Sequence, residues 1–471
     1  MKSLGWRKGI LFIALAGSFP ASVCAQCGEL SFIEAINQAL DANQALVAAR
    51  QTLDAQQKDV AIARSRMLPA ISVTTLGQIS EGPTFSSTVG IIPEQTIQSV
   101  AGVGWTLYDQ TDIDSLGAQK HLYRSQQEGY EGNRVGTIAS AGQSYLSVLL
   151  QRALLFVQNA NLGLTEQSLE ITAAQEGVGD VPYREVLRWQ AQRYSDQQKV
   201  ATQEGGVLVS RFQLNQIRNR PAEETCLLQE LTVAEDGFIF SSDVVAEAIS
   251  DERKATLARD YLVGLGVERS PSLRVLDAQI RAQLRQTKST RRWLIPDLSA
   301  GAGAAAFLLT AGEGSDQQPA GNIFWRVGLQ LDWNVLSGGA YIAGMNQAHL
   351  ELASLEWQRD NAATSLEENI RGTAAVAMAS FYVIGLSSLY VAAAQQNYDL
   401  VNDAYLEGEA TFLELIDSQQ QLLAANVAAR QALYQFLSDL LTLEQSMAYY
   451  PFFEEDADAR VRELEAKLEG R

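Results

Sequence analysis

The sequence predicts a mostly α-helical fold with a few membrane β-strands, in a chain that is duplicated internally. Three observations support this prediction. Similar segments recur at a spacing of about 228 residues, each copy contains a proline-free helical stretch of about 66 residues, and each copy contains strands in which apolar and polar residues alternate. Because 46% of the 471 residues are apolar and only 19% are charged, a folded chain is expected.

The first 25 residues have the three regions of a secretory signal peptide. Three cations form its basic end: Lys2, Arg7 and Lys8. A short apolar run follows at 10–16, and small residues precede a cleavage site after Ala25. We expect the mature chain to begin at Gln26, which removes the three positive charges and changes the net charge from −19 to −22. The alternative is lipoprotein processing at Cys24 or Cys27.

Export leaves two cysteines in the mature chain, Cys27 and Cys226. A disulfide can form between them in an oxidising compartment. Two separate thiols remain the alternative, because the sequence does not set the distance between the two Cα atoms.

The composition leaves little material for catalysis or metal binding. The chain contains two histidines and three cysteines, and it carries 55 acidic against 36 basic residues. A protein that neutralises nucleic-acid phosphates normally has the opposite charge balance. The sequence shows no phosphate-binding loop, nucleophile elbow or zinc-binding histidine pair. We therefore expect no catalytic residue, no metal site, no cofactor, no nucleic-acid partner and no enzymatic activity.

The internal duplication divides the mature chain into two repeats. The offset between matching segments runs from 227 to 229 in order along the chain, as one duplicated ancestral unit predicts. Three aligned pairs illustrate it: Pro69 with Pro296, Trp105 with Trp333, and Gly179 with Gly408. We assign the first repeat to 26–240 and the second to 241–451. The charged tail, 452–471, carries a weak helical stripe and is expected to be peripheral.

Each repeat is expected to contain two strands and then two long helices. In the first repeat the strands are predicted at about 69–80 and 97–108, and the helices at about 111–176 and 181–219. In the second repeat the strands are predicted at about 296–311 and 322–336, and the helices at about 339–407 and 411–447. A helix of 66 residues is about 100 Å long. Apolar residues at three- and four-residue spacing predict that these helices pack against one another.

The strand at 322–336 has the pattern of a membrane strand. Its apolar face is formed by alternate residues: Trp325, Val327, Leu329, Leu331, Trp333 and Val335. We interpret Trp105, Trp325 and Trp333 as membrane anchors, because aromatic residues mark the interfaces of outer-membrane barrels. An amphipathic sheet in a soluble protein is the alternative. Four strands cannot enclose a lumen, and an open edge is not tolerated in lipid, so several chains must build the barrel together.

A second segment also has a composition compatible with a membrane. Residues 372–398 carry no charge, so they could form a transmembrane helix. The corresponding part of the first repeat contains Arg152, Asn159 and Asn161. Because equivalent helices should share an environment, we expect a packed helix wall here instead.

The ordered set of motifs resembles the TolC-like outer-membrane efflux protein family. The motifs are FIEAINQALDANQAL near the mature N-terminus, the Leu-Pro and Ile-Pro entries into the strands, the tryptophan-containing strand ends, and the YLEG turn followed by LELIDSQQQL. The family commonly has proline where this chain has Gln44, but the second repeat has Pro271 at the equivalent position. The resemblance covers about residues 30–447.

This resemblance implies a homotrimer. Three chains would contribute four strands each to a twelve-stranded barrel in the outer membrane, and their helices would continue as an α-helical barrel across the periplasm. The chain would be a passive exit duct of a tripartite efflux pump or a type I secretion system. Its partners would be a periplasmic adaptor, an inner-membrane pump or ABC-type secretion ATPase, and outer-membrane lipid. The alternative is an exported helical protein with a structural or adhesive role and no transport.

The resemblance also indicates a periplasmic gate. Glu414 and Asp417 match acidic positions that the family places there, and they lie on one helix face because they are three residues apart. In the first repeat Glu185 keeps the first acid, whereas Arg188 replaces the second. We expect Arg188 to pair with an acid of a neighbouring helix and to hold the closed state. Solvated surface charges with no gating role are the alternative.

The turns between paired helices are the expected contact with the adaptor. The residues concerned are Gly177, Gly179, Asp180, Gly408 and Glu409. Glycine has the backbone freedom that a tight turn requires, so structure alone accounts for the glycines. His121 and His349 occupy equivalent positions in the two repeats, and an ordinary helix-surface role is expected for both. The alternative for them is a metal-binding or pH-sensing ring in an oligomer.

Overall fold

A computed structural model describes residues 27–86, 90–179, 181–231, 242–290 and 295–468 of the chain. The predicted signal peptide and Asp180 lie outside the described residues.

Each repeat contains the predicted order of strands and long helices, together with shorter elements. The first repeat contains β1 (Cys27–Leu30), α1 (Phe32–Ala42), α2 (Gln44–Ser65), β2 (Ala70–Ile79), β3 (Thr84–Ser86), β4 (Gly90–Ile92), β5 (Gln95–Tyr108), α3 (Gln110–Val178), α4 (Tyr183–Ile217) and β6 (Cys226–Leu228). The second contains α5 (Ser242–Ile249), α6 (Glu252–Arg269), α7 (Pro271–Ser289), β7 (Asp297–Ala311), β8 (Ile323–Asp332), α8 (Ala340–Leu406) and α9 (Phe412–Met447). A 3₁₀ turn (Pro451–Phe453) and α10 (Ala457–Leu468) complete the described chain.

The two longest helices, α3 and α8, contain 69 and 67 residues, which corresponds to about 100 Å each. Helix α3 starts one residue after strand β5, and the side chain of that intervening residue, Asp109, accepts a hydrogen bond of 2.7 Å from the Thr111 N–H. This N-cap satisfies one of the free donors at the helix start. Each long helix packs along the helix that follows it, so the two repeats form two antiparallel helix pairs.

Four strands form one antiparallel sheet in the order β2-β5-β7-β8. The register aligns Ala101 of β5 with Ala304 of β7, and Ala304 with Trp325 of β8. Trp325 is 80% exposed, and the alternate residues Val327 and Leu329 share its exposed face. The apolar residues predicted to face lipid therefore lie on one face of a single sheet.

The last strand is shorter than the sequence predicts. We expected it to reach residue 336, but β8 ends at Asp332. Asp332 pairs with Asp297, which is the first residue of β7, so the neighbouring strand has no residue left to pair with Trp333 and beyond. Trp333 consequently lies past the end of the ladder.

At the other end of the sheet the polar face is covered. Phe307 is fully buried and contacts Phe324 edge-on, with 6.1 Å between the ring centroids. Ile92, from the short hairpin formed by β3 and β4, packs on the same cluster. The loop before β5 also contacts the loop after β7, because the Glu94 N–H donates a hydrogen bond of 3.2 Å to the Glu313 carbonyl oxygen.

The charged tail is packed, which contradicts the expectation that it is peripheral. Leu464 and Leu468 of α10 are buried in a cluster with α5, α6, α8 and α9. Tyr261 of α6 donates a hydrogen bond of 3.1 Å to Glu463, and the Lys467 ammonium lies 4.4 Å from the Tyr261 ring centroid. The weak apolar stripe of the tail therefore serves as a docking face for α6.

The uncharged stretch at 372–398 lies in the middle of α8. This helix is long and apolar enough to cross a membrane by composition. Its middle nevertheless packs against α6 and α9, where Ile370, Ala374 and Met378 are buried in the same apolar cluster as Phe436. The packing agrees with a helix wall.

A parallel strand pair joins the first described residues to the end of the first repeat. Strands β1 and β6 pair in parallel, and Cys27 is the Cα partner of Cys226. Cys226 is disulfide-bonded, while the side chain of Cys27 lies outside the described residues. The bond between these two cysteines stays a prediction, which the strand pairing supports because paired Cα atoms lie within disulfide reach.

Helix α6 approaches α8 and α9 so closely that a side chain at Gly266 has no room. A Cβ atom there would overlap Ile370 Cδ1 and lie 3.3 Å from Met447 Cα. Gly264, two residues earlier on the same helix, has no atom within 4 Å of an added Cβ.

We expect Gly266→Ala to lower the free energy of unfolding by about 1–3 kcal/mol, because overpacking displaces α8 or α9. Gly264→Ala should instead be neutral or stabilising by up to about 1 kcal/mol, because alanine restricts the unfolded chain. Denaturant unfolding of the detergent-solubilised protein measures both. Equal effects of the two substitutions would contradict the proposed close approach.

Candidate functional site

The two helix pairs end in turns that are built around glycine. Helix α3 ends at Gly179, which has φ 87°, and the turn after α8 contains Gly408, which has φ 81°. Both angles lie in the left-handed region, where a side chain is disfavoured. The Glu409 N–H donates a hydrogen bond of 2.8 Å to the Ala404 carbonyl oxygen, which closes the second turn. Gly177 lies inside α3, in its last turn.

The first predicted gate acid, Glu414, caps its own helix. Its carboxylate accepts hydrogen bonds from the Thr411 N–H at 2.7 Å and the Thr411 hydroxyl at 2.8 Å. The Thr411 hydroxyl in turn accepts from the Glu414 N–H, which completes a capping box. The backbone and side-chain hydrogen bonds from Thr411 hold the pKa of Glu414 below its ordinary value of 4.5. The carboxylate therefore stays ionised at every physiological pH.

The second predicted gate acid, Asp417, is exposed on the same helix. Its carboxylate accepts a hydrogen bond of 2.7 Å from the Gln421 side-chain amide. Glu414 is exposed as well, so the two carboxylates stand one turn apart on the solvent side of α9. Two neighbouring negative charges at a helix start are favourable with respect to the helix dipole.

The sequence predicts an ion pair between Arg188 and an acid of a neighbouring helix, but the described residues contain no such pair. The Arg188 guanidinium lies 3.1 Å from Glu185 on its own helix, α4. The same guanidinium stands 5.5 Å from the ring centroid of Phe412, the first residue of α9. The spacing of three residues brings Glu185 within reach, so the charge is satisfied within α4 and the contact to α9 is a cation–π interaction.

Sequence reasoning missed the residues that join the two helix pairs near the turns. Trp189 of α4 is fully buried in a cluster with Leu415 of α9 and Tyr398 of α8. Its indole N–H donates to the Tyr405 hydroxyl at 3.5 Å, and the Tyr405 hydroxyl lies 3.3 Å from the Thr172 hydroxyl of α3. A single tryptophan in a Gln- and Ala-rich helix was the available signal, but we read tryptophan only as a membrane marker.

A second, polar layer lies further from the turns. The Thr165 hydroxyl donates to the buried carboxylate of Asp196 at 2.8 Å, and Lys199 forms a 3.0 Å ion pair with that carboxylate. The Gln419 amide of α9 donates to Thr165 at 2.8 Å and to Asn161 Oδ1 at 3.1 Å. Three helices, α3, α4 and α9, are therefore linked through buried hydrogen bonds, which are strong where water is excluded.

The predicted membrane anchors lie at different depths along the sheet. The Trp105 indole N–H donates to the Met67 carbonyl oxygen at 3.1 Å, just before β2 begins. Trp325 stands within β8, and Trp333 follows its end. Trp105 and Trp333 therefore mark the helical end of the sheet, where an aromatic ring with a polar N–H suits the membrane interface.

Within the described ranges, no group of three or more His, Cys, Asp or Glu residues is arranged to hold a metal ion.

A sequence profile of the outer membrane efflux protein family matches residues 35–220 and 262–448, which is most of the chain. Nodulation protein T of Rhizobium leguminosarum bv. viciae is 20% identical over 413 residues, which cover 86% of this chain and 79% of that protein.

Solved structures with the same fold include outer-membrane channels. CusC matches with a TM-score of 0.69 and 14% identity, and the match covers 88% of this chain and 91% of CusC. The CmeC outer-membrane channel of Campylobacter jejuni matches with a TM-score of 0.68 and 14% identity, covering 92% and 89% of the two chains. The open state of the MtrE outer-membrane channel of Neisseria gonorrhoeae matches with a TM-score of 0.66 and 16% identity, covering 89% of each chain. The chain therefore belongs to the outer membrane efflux protein family and is an efflux duct of the outer membrane that extends into the periplasm.

Proposed function

We propose that three copies of this chain close the duct by pairing their sheet edges. The observation that carries the proposal is the strand order, in which β2 and β8 each have one neighbour within the described residues. In lipid, the free N–H and C=O groups of such edges have no water to bind. Three antiparallel pairings separate β2 from β8, so they run in opposite directions. Strand β8 of one copy can therefore pair antiparallel with β2 of the next.

Three copies supply twelve strands, the number implied by the family. Two copies would supply eight, and an eight-stranded barrel is filled by its own side chains or holds one small ligand. A transport duct needs the wider ring. Small residues lie on the face opposite Trp325, among them Gly301 and Gly303. They leave the lumen of the twelve-stranded ring open.

The long helices offer a matching surface for the next copy. Tyr382, Leu386 and Leu389 are exposed on α8 at a spacing of four and three residues, which places them on one face. Leu389 is 67% exposed. Such an apolar stripe supports a helix wall that continues into a neighbouring copy. The alternative, an exported helical protein that does not transport, leaves the apolar outer face of the sheet unexplained.

A duct of this kind works with proteins that supply cargo and energy. We propose a periplasmic adaptor at the glycine turns and, behind it, an inner-membrane pump or an ABC-type secretion ATPase. The turns support an adaptor role because they end the helix pairs. The duct itself is passive and carries out no chemical reaction.

The experiment that tests the assembly is the native mass of the protein extracted in detergent from isolated outer membranes. We expect three times the mass of the mature chain, because only a closed ring satisfies every strand edge. A water-soluble monomer, absent from that membrane, would overturn the proposal.

We further propose that the contact between Tyr405, Thr172 and Trp189 holds the periplasmic end closed. Tyr405→Phe removes the hydroxyl and leaves the ring. We expect a higher single-channel conductance in planar bilayers, because the two helix pairs lose their hydrogen-bonded link. Tyr390→Phe, on the same helix, is the matched control and should leave the conductance unchanged. An unaltered conductance in Tyr405→Phe would remove the hydroxyl from the gate.

The acidic pair gives a separate prediction. Three copies would place six carboxylates in a ring at the tip, which attracts cations. Glu414→Gln combined with Asp417→Asn should weaken block by multivalent cations at least about tenfold, since the charge is removed. Glutamine keeps the capping box, so the helix start is preserved. Glu465→Gln on α10 is the control, and equal block in both variants would favour the alternative of plain surface charges.

A further inference from the structure

A cluster of cations lies across the contact between α3 and α7. The two helices pack antiparallel, as shown by three close approaches: Gly117 to Arg285, Gly129 to Val275, and Gly132 to Pro271. The Arg285 side chain crosses α3 at Gly117, where an added Cβ would lie 3.3 Å from Arg285 Cδ. This register places His121, one turn further along α3, opposite Arg281 and Arg285.

Within the described residues, the cluster has no carboxylate at ion-pair distance from Arg124, Arg281 or Arg285. In contrast, Arg274, further along α7, lies 3.5 Å from Glu128 of α3. Burial, followed by the charges of Arg285, Arg281 and Arg124, lowers the pKa of His121. Three guanidinium groups therefore act on one imidazole, in a chain whose net charge is −19.

The cluster faces solvent on one side of the contact between α3 and α7. On the opposite side, a cavity of about 230 Å³ is lined by three helices, with Leu122 from α3, Gln286 from α7 and Leu355 from α8 among its residues. Lys120 and Arg124, on the side of the cluster, are exposed. The cluster therefore faces solvent and not this cavity.

The cluster lies about 10–16 Å below the strand end, on the periplasmic side of the headgroup layer. Helix α3 starts at Gln110, directly after the strand, so Gly117 is about 10 Å and His121 about 16 Å below the strand end. The headgroup layer of a bilayer is about 5–7 Å thick on each side. The exposed arginine side chains can extend upward toward that layer.

We propose that His121, Arg124, Arg281 and Arg285 form a binding site for a phosphate group. The guanidinium fork matches phosphate oxygens with paired N–H donors, and an unneutralised arginine cluster favours a group that carries at least one full negative charge. The source is either the headgroup of an anionic phospholipid or a soluble phosphate of the periplasm. The site lies within one copy, so it does not depend on the trimer.

The first test observes His121 directly. His349→Gln leaves His121 as the one imidazole of the mature chain. The full-length protein in detergent, with ¹³C-labelled histidine and phosphate-free buffer, is titrated from pH 5 to pH 8 with and without inorganic phosphate. A bound anion stabilises the imidazolium, so the pKa of His121 should rise. An unchanged titration with inorganic phosphate, and again in nanodiscs containing phosphatidylglycerol, would overturn the proposal.

The second test compares matched charge removals. Arg281→Gln with Arg285→Gln should weaken binding of inorganic phosphate, or retention of phosphatidylglycerol over phosphatidylcholine in native mass spectra, at least about tenfold. Arg253→Gln with Arg430→Gln removes the same charge elsewhere and should have no effect. Loss of lipid retention alone identifies a headgroup, and loss of phosphate binding alone identifies a soluble anion. Equal behaviour of the two double variants would contradict a specific site.

Discussion

The structure depends on one constraint, which is that a strand edge in lipid must be hydrogen-bonded. A closed ring needs four strand pairings for each copy. The four strands of a single copy make three of these pairings. The fourth, between β8 and β2, must join two copies. The same constraint sets where a long helix starts, because α3 begins one residue after β5 and is capped there by Asp109. Closing the barrel therefore fixes where the long helices enter the tunnel.

The contacts between the two helix pairs differ in strength along their length. In the polar layer, Gln419 of α9 donates hydrogen bonds of 2.8 and 3.1 Å to Thr165 and Asn161 of α3. The contacts of the Tyr405 hydroxyl near the turns are 3.3 and 3.5 Å long. Hydrogen bonds weaken as they lengthen, and buried networks are costly to break. The gate proposed above would therefore open at the turns while the polar layer keeps the helices together.

Charge is distributed unevenly over the chain. Many ion pairs join residues three or four apart on one exposed helix, such as Arg188 with Glu185, and such pairs contribute little to stability. The basic cluster between α3 and α7 is an exception, because two helices bring like charges together. Repulsion of this kind costs stability unless an anion is present, which is the physical basis of the phosphate site proposed above.

The sequence by itself determined the duplication, the long helices, the membrane strands and the positions of the glycine turns. These features follow from local periodicity, from the absence of proline and from the backbone needs of glycine, which neighbouring residues specify. Tertiary structure alone decided that β8 stops at Asp332, that the Arg188 guanidinium stands over Phe412 of α9, that Trp189 joins the two helix pairs and that α10 packs on α6. Each of these features depends on which residue of a distant segment lies opposite. Local periodicity does not specify the register between distant segments.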